Sequence, residues 1–130
     1  MKDSVISRKI TRQIHVGDIP VGGGAPIPVQ SMTNTDTHDA EATLRQIRAL
    51  EEAGCDIVRL AVPDVAAADT FRYLKTHGVH IPLVADIHFN YEIALAAVAA
   101  GADKIRINPG NIGERAHTES VVRACRERGI

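Results

Sequence analysis

Aromatic residues are nearly missing from this chain: two Tyr, two Phe and no Trp make up 3% of its 130 residues. Apolar content is an ordinary 45%, so any core must be aliphatic, built from Val, Ile, Leu and many Ala. Cysteine is scarce too. Cys55 and Cys125 stand far apart, match no metal-ligand spacing, and are too few to complete a structural zinc site or hold an iron–sulfur cluster. They read as free thiols, buried or half-buried. An excess of one charge is also lacking: 15 Lys and Arg against 16 Asp and Glu leave a formal charge of −1, which gives no reason to expect nucleic acid or another polyanion. No hydrophobic run is long enough to span a bilayer, the longest helical one being Ile93 to Ala100. The start, Met1 to Thr11, alternates polar and charged residues and does not read as a signal peptide. The expectation is a soluble, cytoplasmic chain, one domain or part of one.

What is present is a repeating strand–helix pattern. Arg12 to Gly22 predicts a short hairpin, with Ile14 and Val16 alternating with polar residues, a Gly17-Asp18 turn, and Ile19 and Val21 returning. After the break at 22–26, strands are expected over Pro28 to Met32, Asp56 to Val62, Pro82 to Asp86 and Lys104 to Ile107. Helices follow each of them, stopped by Gly54, Gly78, Gly101 and Gly129, with Asp64 and Asn90 as N-caps. Ala53 to Leu60 echoes Ala100 to Ile107 at an offset of two strand–helix units. Such repetition implies parallel strands. Near-uniform crossovers, and polar residues expected near the strand ends (Gln30, Arg59, Asp86, Arg106), favour the first half of a TIM barrel, about four βα units, over a doubly wound sheet. The division expected is 1–27 as an extension carrying the hairpin and 28–130 as the half barrel, truncated before a fifth strand.

Chemistry concentrates at those strand ends. Lys104 to Gly113 runs from a strand into a loop with Asn108, Pro109, Gly110, Asn111 and Gly113, then into a helix start, which gathers free N–H groups and suits a phosphate. An ordinary turn explains Asn111 equally well. Arg59 and Arg106 occupy equivalent places in the echo; arginine in an apolar strand needs a partner, either a bound anion or an ion pair. Period-2 alternation puts Asp86 and His88 on one face, where the carboxylate can orient the imidazole as a proton donor or anion binder; the plainer reading is a capping Asp and a solvated His. Gln30 to Thr35 offers neutral hydrogen-bonding groups. His15, His38, His77, His80 and His117 have no evident partners and read as surface. No metal site is expected in this chain.

Four runs come in the order of one known family: Val29 to Thr35, Val58 to Pro63, Ala85 to Asn90, and Lys104 to Gly113. On them the chain resembles the amino-terminal part of the 4-hydroxy-3-methylbut-2-en-1-yl diphosphate synthase family. The resemblance covers nearly the whole chain but roughly the first third of such an enzyme. It implies a TIM barrel followed by a domain with a 4Fe–4S cluster, and reductive opening of 2-C-methyl-D-erythritol 2,4-cyclodiphosphate in isoprenoid biosynthesis. Two electrons would come from flavodoxin or ferredoxin, in a head-to-tail homodimer. By the same resemblance Arg59, His88, Arg106 and Asn108 would hold the diphosphate, Asp86 would lie near the reacting hydroxyls, and Gln30 and Asn34 would line the floor. The cluster ligands would lie outside this chain, which alone is expected to be inactive. The alternatives are a non-catalytic phosphate-ligand-binding half barrel and a dihydropteroate-synthase-like barrel enzyme.

Overall fold

A computed structural model describes residues 6–130; residues 1–5 of the expected extension lie outside it. The hairpin forms as the alternation predicts: β1 (Ile14–Val16) pairs antiparallel with β2 (Ile19–Val21) around Gly17. Four βα units follow: β3 (Gln30–Met32), α1 (Ala40–Glu52), β4 (Ile57–Ala61), α2 (Val65–Thr76), β5 (Leu83–Ile87), α3 (Tyr91–Ala100), β6 (Lys104–Ile107) and α4 (Arg115–Arg128). The strands form one parallel sheet in the order β3-β4-β5-β6. β3 is shorter than its sequence suggests, because Val29 spends its N–H and C=O on Asp56 ahead of the regular ladder.

All four helices share one face. Val58, Leu60 and Val62 with Leu83, Ala85 and Ile87 join Leu44, Ile47, Phe71, Leu74, Ala94 and Ala97 in one aliphatic core. The other face holds Ile57 and Val84, and the hairpin covers them with Val16, Ile19 and Val21. A doubly wound sheet would carry helices on both faces. One-sided covering, with strand order following chain order, is a segment of a barrel wall seen from inside and out.

The hairpin seals the amino-terminal end of this segment. A Cβ on Gly17, whose φ is +55°, would meet Pro82 Cγ at 2.9 Å, so the turn lies directly against the entrance to β5. Asp64 and Asn90 cap α2 and α3 as expected, accepting from Ala67 N and Glu92 N at 2.8 Å each, and Asp39 caps α1 by accepting from Ala42 N at 3.0 Å.

The echo between Ala53 to Leu60 and Ala100 to Ile107 has a physical cause. Asp56 donates its N–H to Val29 O at 2.8 Å, and its carboxylate accepts Val29 N–H at 2.8 Å. Asp103 makes the same reciprocal pair with Leu83, both bonds again 2.8 Å. In each case a left-handed glycine, Gly54 or Gly101, ends the helix and delivers the Asp to the preceding strand.

Candidate active site

Register fixes what faces the barrel interior. Arg59 is level with Val84, and Ala61, Asp86 and Arg106 form the next row toward the carboxyl ends. Asp86 is 1% exposed. Arg59 Nη2 donates to its Oδ2 at 2.6 Å and Arg106 Nη1 to its Oδ1 at 3.2 Å. His88 Nε2 stands 3.5 Å from Oδ2. Both arginines thus have a protein partner, so the need for one does not by itself require a bound anion. The charge balance points outward, however: two guanidiniums share one carboxylate. Arg59 Nε is buried without a hydrogen-bond partner among the described residues. A buried unpaired donor costs about 1–3 kcal/mol, which an acceptor entering the mouth would recover.

The remaining sequence-selected residues fall into three settings. Gln30 opens β3, level with Ile57, so it sits one row below Arg59 and not near the end of its strand. Asn34 is turned to α1: Gln46 Oε1 accepts its N–H at 2.9 Å and Gln46 Nε2 donates to its Oδ1 at 2.5 Å. Asn108 Oδ1 accepts Gly110 N–H at 3.1 Å, and Asn111 N–H reaches Asn108 O at 2.9 Å, so the β6–α4 loop is a tight turn pinned by buried Ile112. The Asn111 side chain is exposed on that turn. Helix α4 has no side-chain cap at Glu114.

Sequence reasoning picked out the polar groups of Gln30 to Thr35 but missed how the loop of residues 33–38 is held. Its side chains alternate: Thr33 and Thr37 are buried and Thr35 half-buried, while Asn34, Asp36 and His38 are exposed. His38, read as a partnerless surface residue, bridges two carboxylates, with Nδ1 2.7 Å from Asp36 Oδ1 and Nε2 2.8 Å from Asp64 Oδ2. Hydrogen bonds to Asp36 first, then Asp64, raise its pKa above the ordinary imidazole value. The carboxyls of Asp36 and Asp64 are lowered, chiefly by the backbone N–H groups of His38 and Ala67. His117 likewise has a partner, stacking on Tyr91 with ring centroids 4.1 Å apart. The Thr-x-Thr-x-Thr spacing was the visible signal for this loop.

The chain matches the model of the GcpE TIM-barrel domain over residues 11–130. It belongs to the GcpE TIM-barrel family. Curated relatives named 4-hydroxy-3-methylbut-2-en-1-yl diphosphate synthase (flavodoxin) are 60% identical over 126 residues in Symbiobacterium thermophilum and 59% over 128 in Azotobacter vinelandii. These alignments cover 97% and 98% of this chain but 34% of each relative, so the chain spans about a third of their length. Among solved structures, it is similar to the carboxyl transferase domain of Rhizobium etli pyruvate carboxylase with pyruvate. That match has a TM-score of 0.56 and 23% identity, over 78% of this chain and 21% of that one. Mandelate oxidase with (S)-2-phenylpropionate matches at a TM-score of 0.52 and 19% identity, over 81% and 41%. At such identities the likeness concerns the fold alone.

A 4Fe–4S cluster does not fit the residues of this GcpE segment. Cys55 precedes β4 at the hairpin end of the sheet, its thiol donating to Ile57 O at 3.0 Å. Cys125 lies near the end of α4, where burial pushes its thiol pKa up. Neither is near Asp86, and no group of three metal-ligating side chains occurs among the described residues. No described helix is long and apolar enough to cross a membrane.

Proposed function

We propose that this chain is the substrate-binding amino-terminal half barrel of a 4-hydroxy-3-methylbut-2-en-1-yl diphosphate synthase, with residues 1–27 as its extension. The whole enzyme is an oxidoreductase of isoprenoid biosynthesis acting on 2-C-methyl-D-erythritol 2,4-cyclodiphosphate. One observation carries the reading: Arg59 and Arg106 converge on buried Asp86 and leave uncompensated positive charge at the mouth. Membership of the GcpE family sets aside the dihydropteroate-synthase-like alternative.

In this reading the two guanidiniums, with their fixed forks of donors, take the diphosphate oxygens and stabilise the charge that grows as the ring opens. His88 is half-exposed and faces Asp86, so it is the group able to pass a proton between carboxylate and ligand. Asp86 and His88 form the acid–base pair. Asn108 and Asn111 contribute neutral contacts from the β6–α4 turn, and Gln30 and Asn34 bound the floor. The 4Fe–4S ligands and the docking surface for flavodoxin or ferredoxin lie outside this chain, as does the rest of a homodimeric, cytoplasmic enzyme.

The test is calorimetric titration of the full-length protein with the cyclodiphosphate. Arg106→Ala is expected to weaken binding by about 1–3 kcal/mol, the worth of a charge-assisted contact. Unchanged affinity would remove Arg106 from the site.

A further inference from the structure

Thr37 belongs to no site assigned so far, yet it joins three elements. Its hydroxyl is buried and donates to Ala61 O at 2.6 Å; Ala61 ends β4, level with Asp86. Its own carbonyl accepts the buried Thr70 hydroxyl of α2, also at 2.6 Å. Two residues back, Thr35 shares a 2.8 Å hydrogen bond with the fully buried Thr43 of α1, and Thr43 donates to Asp36 O at 3.2 Å. The loop is therefore an extended comb, with threonines inward and Asn34, Asp36 and His38 outward. Of the threonines, Thr37 grips the end of the strand that carries Arg59, and Thr35 grips α1.

Hydroxyls placed this way do what hydrophobic packing cannot. Each fixes a carbonyl at one distance and direction, and a buried carbonyl that loses its donor has no water to replace it. The exposed His38 bridge on the same loop is weaker, since exposed pairs lose most of their strength to solvent. The buried pair decides where the loop sits.

We infer that Thr37, with Thr70 behind it, is a positioning residue for the mouth. It touches no ligand, but it holds the β3–α1 loop and the carboxyl end of β4 in the geometry that binds the diphosphate. The inference rests on the diphosphate reading above.

The experiment uses the full-length protein and the cyclodiphosphate. Thr37→Val keeps the shape and removes the hydroxyl, and is expected to weaken binding about tenfold, the loss of one buried hydrogen bond. KM should rise with kcat little changed, and amide exchange over residues 34–39 should speed up. Thr37→Ser, which keeps the donor, should bind within about twofold of wild type and restore slow exchange. Thr70→Val should act in the same direction, and it carries the test alone if Thr37→Val does not fold. Faster exchange with unchanged affinity in both valine variants would overturn the inference and leave the diphosphate reading standing. A serine variant as weak as the valine one would also overturn it, because packing and not the hydroxyl would then be responsible. A wild-type protein that does not bind the cyclodiphosphate would overturn both.

Discussion

Single residues at the mouth divide by how much water reaches them. Asp86 is buried and answers to two arginines, whereas His38 is exposed and answers to two aspartates, so their chemistry responds to different conditions. His38 gives a signed pH prediction. Its pKa is raised in the folded state, so its share of stability is complete below the ordinary imidazole value of 6.5 and is lost as pH rises through the raised value. Asp36 and Asp64 are lowered, so theirs is present above the ordinary 3.8 and is lost as pH falls through the lowered values. The bridge is therefore strongest between those limits. His38→Gln should flatten the alkaline side of a stability–pH profile measured by denaturant midpoint, and NMR titration of wild type should place the imidazole above 6.5. An unshifted imidazole would break the argument. None of this was legible beforehand, because Asp64 is 26 residues from His38 and only folding joins them.

At the scale of elements the sequence was a good guide wherever a local rule governs. The hairpin, the N-caps Asp64 and Asn90 and the glycine stops all stand where turn and capping chemistry put them. The convergence of residues 59, 86 and 106 was half legible: the echo and their place near the strand ends put them on one rim, but did not show that Asp86 itself partners both arginines. Gln30 misled because the extent of β3 depends on Asp56, from the next unit. The reciprocal Asp bonds also give a prediction for the echo. Asp103→Ala leaves the N–H of buried Leu83 without its carboxylate and Lys75 without its ion pair. It should lower the stability of the full-length protein by about 1–3 kcal/mol in a urea titration, the cost of an unsatisfied buried donor. A change within error would mean that water takes the carboxylate's place.

At the scale of the whole molecule, the four βα units have two outer strands, β3 and β6, whose outer ladder groups have no strand partner among the described residues. Val29 and Met32 beside the β3 edge are more than two-fifths exposed, an apolar border that a closed barrel would cover. Expressed alone, residues 1–130 should be marginally stable or associate through these edges. Light scattering is expected to give a mass well above 14.0 kDa. A monomer with a sharp thermal transition would show that the half barrel is self-sufficient.

The hairpin has a consequence for traffic. Val16, Ile57 and Val84 make a dry stopper beneath the arginines, and Gly17 leaves no gap beside Pro82. The arginines sit above this stopper, toward the carboxyl ends of β4 and β6, so an anion meets them from the carboxyl side. Apolar side chains, not solvent, lie beneath them, so salt screens that attraction from the carboxyl side only.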